Sequence, residues 1–104
     1  MPAIFRKEPA MKYSVFYPTE IKDIYNDNID VCVTREDGKT FTFVFITPEN
    51  LKHLMLAENT KYIDFRFRFI VVKELYEKII EEVLEQLMDQ EYFCNFYGSD
   101  IPEQ

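Results

Sequence analysis

Hydrophobic and polar positions are most legible between Ile29 and Ile46, IDVCVTREDGKTFTFVFI, where two β-rich runs flank Asp37-Gly38. Asp-Gly between such runs predicts a β-hairpin, because both central residues of a type I′ turn need positive φ. A two-residue loop sets Thr34 opposite Phe41, Cys32 opposite Phe43 and Asp30 opposite Phe45. It also sets Val33, Val31 and Ile29 opposite Thr42, Val44 and Ile46. One face of this ribbon would be aliphatic, and the other would carry a row of three phenylalanines. That departs from the usual apolar-in, polar-out alternation and asks for cover on both sides. The expectation is a helix layer on one face and a partner, or a second copy of the chain, on part of the other.

Around the hairpin the pattern predicts further elements. Tyr13, Val15 and Tyr17 alternate with Ser14 and Phe16 as a strand ended by Pro18. In Thr19–Asn28 the helical spacing of Ile21, Ile24 and Tyr25 competes with the turn chemistry of Asn26-Asp27-Asn28. Thr47-Pro48-Glu49 opens a helix with a capping hydroxyl, a proline at the first position and an acid at the positive end of the dipole. It should run to about Ala57 and bury Leu51, Leu54 and Met55. Tyr62–Val72 reads as a strand with Ile63, Phe65, Phe67, Phe69 and Val71 on one face and Asp64, Arg66 and Arg68 on the other.

Lys73–Met88 is the strongest helical signal, with Tyr76, Ile79, Ile80, Val83, Leu84 and Leu87 in one wide stripe. A short helix over Gln90–Tyr97 follows, with Asp89 placed to cap it and Gly98 to end it in the left-handed conformation. The expected fold is α+β: a mainly antiparallel sheet of about four strands, order β-β-β-α-β-α-α, with a long C-terminal amphipathic helix packed on the sheet. Met1–Ala10 reads as an irregular lead-in, 11–98 as one domain and 99–104 as a frayed tail.

Composition sharpens this in two ways. Apolar residues make up 47% of the 104 and aromatics 16%, enough for a packed core without staples. The net charge of −7 is unevenly spread: residues 1–72 hold ten basic and ten acidic side chains, whereas 73–104 hold two lysines against nine acids. A neutral sheet region is thus followed by an acidic helical one, and nucleic-acid backbone binding is disfavoured. No apolar run approaches a membrane span and no signal-peptide pattern opens the chain, so a cytoplasmic protein away from membranes is expected. Cys32 and Cys94 belong to no metal or redox spacing and read as free thiols.

Candidate chemistry is sparse. His53 is the single histidine, with no nucleophile placed beside it by any motif. Phosphate loops and zinc or calcium spacings are missing, and a di-metal helix site would need a Glu-x-x-His partner. The reading is therefore a non-catalytic interaction module without cofactor. Glu74, Glu77, Glu81, Glu82, Glu85 and Asp89 form an acidic face with like-charge i, i+4 pairs that oppose the helix dipole. Tyr92, Phe93, Phe96 and Tyr97 form an aromatic cluster suited to anchoring an interface. Together they point to a basic protein partner, in the manner of small acidic immunity proteins and antitoxins, or to self-association. The alternative is a small-molecule or nucleic-acid sensor that uses Phe41, Phe43 and Phe45 with Arg66 and Arg68.

Overall fold

A computed structural model of the chain describes residues 12–63 and 67–98. The expectations for Met1–Ala10, for Asp64, Phe65 and Arg66, and for 99–104 lie outside the described residues. The elements are β1 (Tyr13–Phe16), β2 (Asn28–Arg35), β3 (Thr40–Ile46), α1 (Pro48–Glu58), β4 (Phe69–Val71), α2 (Glu77–Met88) and α3 (Glu91–Tyr97). The strands form one α+β sheet in the order β1-β2-β3-β4. Its first two pairings are antiparallel and the last is parallel. The parallel pairing follows from the connection, since α1 carries the chain across before β4 returns along β3.

The hairpin corrects the expected register. The Gly38 N–H donates to the Arg35 carbonyl and the Arg35 N–H to the Lys39 carbonyl, both at 2.9 Å. The loop is therefore three residues long, Glu36-Asp37-Gly38, with Gly38 at φ 90° in the bulge position after the turn. Val33 now pairs with Phe41, Val31 with Phe43 and Ile29 with Phe45. One extra loop residue slips the register by one, and a slip of one moves a whole row of side chains to the other face. The aliphatic and aromatic rows thus share a single face, and all six side chains are buried. The other face carries exposed Ser14, Phe16, Asp30, Thr34 and Thr40 with half-buried Cys32, Thr42 and Val44, and Ile46 buried at its Asn28 end. The phenylalanine row therefore lies in the chain's own core and needs no companion to cover it.

One core fills the space between that face and the C-terminal helices. It joins Val31, Val33, Phe43 and Phe45 to Leu75, Ile80, Leu84, Leu87, Met88 and Cys94. Ile80, Leu84 and Leu87 of the expected α2 stripe are buried and Ile79 and Val83 half-buried, but the helix begins at Glu77 rather than Lys73, spans 12 residues and leaves Tyr76 ahead of it 43% exposed. Its lead-in is held out of the helix by the Leu75 N–H, which donates to the Ile24 carbonyl at 2.8 Å. Asp89 ends α2 instead of capping α3, whose N-cap is Gln90. Gly98 ends α3 in extended geometry, φ −89°, and its missing side chain serves a close approach. A Cβ there would lie 2.8 Å from the Phe41 ring and 2.9 Å from the Cys94 carbonyl.

The Thr47-Pro48 start behaves as expected: the Thr47 hydroxyl accepts the Asn50 N–H at 3.3 Å, and α1 ends on Asn59 at φ 56°. Leu51, Leu54 and Met55 are only half-buried. Asn26, Asn28 and Asn50 link their side-chain amides, fastening the turn before β2 to the start of α1. Of the expected Tyr62–Val72 strand, Phe69–Val71 alone is strand among the described residues, and Tyr62 and Phe67 stand exposed. Among the described residues, no helix is long and apolar enough to cross a membrane.

Candidate functional site

The amphipathic stripe that seats α2 in the core turns its carboxylates outward. Glu77, Glu81, Glu82, Glu85 and Asp89 are exposed, and Glu74, ahead of the helix, is half-buried. The acidic row runs beside β1, the edge strand. Tyr13 and Val15 line a surface hollow of about 380 Å³ with Lys78, Glu81, Glu82 and Glu85. A second hollow of about 490 Å³ sets Glu77 against Tyr17–Ile21. The field is felt locally: burial raises the Tyr13 phenol pKa, and Glu85, Glu81 and Asp89 push it further. Tyr17 is raised in the same way, by burial and then by Glu77 and Glu81. Its hydroxyl is buried without a hydrogen-bond partner among the described residues. The ion pairs among the described residues involve none of Glu77, Glu81, Glu82 and Glu85, and the last turn of α2 holds no basic residue.

The short helix α3 shows its aromatics rather than burying them. Tyr92 is 70% exposed, Phe93 43% and Phe96 39%; Cys94 alone in the helix is buried. Tyr92 stacks on Phe96 with centroids 6.3 Å apart, and the Tyr92–Phe93 and Phe96–Tyr97 pairs meet edge to face at 5.0 Å. Phe96 and Tyr97 lie beside Phe41 and Phe69, at the β3–β4 side of the sheet. The acidic row lies beside β1. The expected partner surface is therefore two patches at opposite sides of the sheet, joined through the α2–α3 corner.

An inward-facing arginine, missed in reading the sequence, links the hairpin tip to α3. Arg35 is 5% exposed and donates to Asp37 at 2.7 Å and to Glu91 at 3.0 Å, with its guanidinium 5.6 Å from the Phe41 ring centroid. These bonds hold the Asp37 and Glu91 carboxyls below the usual carboxylate range. Lys39 adds a second cation 3.6 Å from Glu91. The signal was present in Val31-Cys32-Val33-Thr34-Arg35, where Arg35 continues the buried parity of the strand, but only the correct register gives that parity its meaning.

On the β4 side the sheet splays. β4 pairs with β3 only over Val44–Ile46, so the Thr40–Phe43 end of that edge has no strand partner among the described residues. That end of β3, Phe67 and Arg68 and the last residues of α3 line a cavity of about 480 Å³. Phe41, Thr42, Val44, Phe67, Phe69, Phe96 and Tyr97 contribute to its walls. Arg68 stands with its guanidinium 4.8 Å from the Phe96 ring centroid and donates to the Phe96 carbonyl at 3.4 Å.

Of the expected ligand face, Phe43 and Phe45 are sealed in the core, Phe41 is buried but reaches this wall, and Arg68 lies at the cavity. Arg66 is outside the described residues. His53 is exposed and pairs with Glu49 one turn away at 3.3 Å. Both cysteines are free; Cys94 is buried in the core, which raises its thiol pKa, and Cys32 sits on the opposite sheet face. Among the described residues, no group of His, Cys, Asp and Glu is arranged to hold a metal ion.

No family model matches this chain, and it has no significant match among curated proteins or solved structures. Its chemistry has to be read from its own residues.

Proposed function

We propose that the protein is a non-catalytic interaction module that binds a basic protein partner through the carboxylates of α2, in the manner of small immunity proteins and antitoxins. The observation that carries this reading is the row Glu77, Glu81 and Glu85 with Glu82 beside it: all four are exposed and none is ion-paired among the described residues. Each like-charge i, i+4 pair costs a few tenths of a kcal/mol. Acids in the last turn also work against the dipole by roughly 0.3–1 kcal/mol apiece. A helix shaped by its own stability would carry lysines there. A docked cation would neutralise the row and be steered to it by the field. The exposed Tyr92, Phe93 and Phe96 supply an aromatic anchor of the type enriched at interface centres.

The test is recovery of a partner from the native cell by the wild-type chain and by the double variant Glu81→Lys, Glu85→Lys, at low and high salt. Recovery of a basic protein that is lost on charge reversal and weakens steeply with salt supports the reading. Recovery indifferent to both overturns it.

A further inference from the structure

We infer that the cavity between the splayed strands and α3 is a binding site for a small planar aromatic carboxylate. This site is separate from the acidic face and does not depend on the function proposed for it. Its volume of about 480 Å³ falls within the range typical of small-molecule pockets. Phe67 and Phe69 stack with centroids 5.7 Å apart, and Phe96 and Tyr97 face them across the opening, so the walls offer flat apolar surface. One cation stands among these rings. Arg68 is steadied by lying over Phe96 and by one hydrogen bond to the Phe96 carbonyl.

The contrast with Arg35 is instructive. Arg35 takes two carboxylates from its own chain, whereas Arg68 has none within ion-pair distance among the described residues, in a protein with 19 acids to 12 bases. A guanidinium already stacked on a ring presents its remaining N–H donors as a planar fork, the geometry that receives a carboxylate through two parallel bonds. The protein's negative charge does not defeat this. The acidic row lies beside β1, three strand spacings from β4 at roughly 5 Å each. That separation exceeds the screening length of about 8 Å in physiological salt. A phosphate ligand is a poorer match, because the cavity has no glycine-rich loop and no second cation in its lining. Rings give the affinity and Arg68 selects the charge.

Calorimetric titration of the full chain with indole-3-acetate, and with its neutral isostere indole-3-acetamide, tests the inference. The acetate should bind, and the acetamide should bind about tenfold more weakly, the loss expected when one charge-assisted contact is removed. Arg68→Gln, a substitution at an exposed position checked for folding by its melting curve, should bring the two ligands to equal affinity. Phe96→Ala should weaken both. Absence of binding by either ligand, equal binding of both by the wild-type protein, or a preference that survives Arg68→Gln would overturn the proposal. So would tight binding of a short single-stranded RNA in place of the carboxylate.

Discussion

Phe43→Ala tests the corrected register most directly. Phe43 is fully buried, pairs with the equally buried Val31 and stacks on Phe41 with centroids 5.9 Å apart. Truncating a buried phenylalanine to alanine costs about 3–5 kcal/mol, from lost transfer energy and the cavity left behind. A domain of this length has a total stability of roughly 5–15 kcal/mol, so the substitution removes at least about a fifth of it. At roughly 4–8 °C for each kcal/mol, the melting temperature should fall by at least about 12 °C. Thr42→Ala is the control one position away: Thr42 is half-buried on the opposite face, and its loss should stay within about 1 kcal/mol. Urea unfolding followed by circular dichroism gives both values, provided the denaturant slope is unchanged. If Phe43→Ala costs less than about 1 kcal/mol, or Thr42→Ala matches it, the three-residue loop and the one-sided core are both wrong.

Other expectations follow from particular contacts. Gly98→Ala places a methyl group 2.8 Å from the Phe41 ring and 2.9 Å from the Cys94 carbonyl; it should destabilise by about 1–3 kcal/mol, and a wild-type melting curve would contradict that. Arg35→Met keeps the buried stem but loses the bonds to Asp37 and Glu91, and should lower the melting temperature at neutral pH. Folding depresses both carboxyl pKa values, so the unfolded chain binds more protons and stability rises with pH through that range. The contribution is complete above the ordinary carboxylate pKa of about 4 and is lost as pH drops through the depressed values, so Arg35→Met should flatten the acid limb of a stability–pH curve. Glu85→Gln should lower the Tyr13 phenol pKa towards its ordinary value in an alkaline absorbance titration, assigned with Tyr13→Phe; an unmoved Tyr13 would place Glu85 elsewhere.

Much of this fold is legible in the chain because it is local. The Thr47-Pro48-Glu49 start of α1, the stripe of α2 and the presence of a hairpin each depend on residues close in sequence. The register does not. Asp37-Gly38 serves equally well as a two-residue turn or as the end of a three-residue loop whose glycine takes the bulge position. The decision belongs to the long-range pattern: pairing Val31 with Phe43 puts Ile29, Val31, Val33, Phe41, Phe43 and Phe45 on one face. The lead-in to α2 fits the helical stripe, yet the Leu75 N–H is claimed by Ile24, a tertiary contact that periodicity cannot reveal. Tyr62–Val72 alternates along its length, but among the described residues only Phe69–Val71 pairs with β3, while Phe67 and Arg68 line the cavity. Arg35 escaped notice for the same reason as the register, since its inward orientation follows from it.

Correcting the register also changes what binding by this chain would mean. Had the sheet been apolar on both sides, a companion would have been part of the fold, and a variant that lost it would have lost stability too. A single face covered by the chain's own helices separates the two. Glu81 and Glu85 are exposed and belong to no ion pair among the described residues, so replacing them breaks no ion pair and leaves the buried core as it is. Reversing them turns the repulsions of 77 with 81 and of 85 with 89 into attractions, leaves 81 and 85 like-charged, and gives the last turn a cation that its dipole favours. Glu81→Lys with Glu85→Lys should therefore melt slightly above the wild type while losing a basic partner. No structural role for the acidic row gives both results: a row needed for folding would melt lower when reversed, and a merely solvating row would leave partner recovery unchanged.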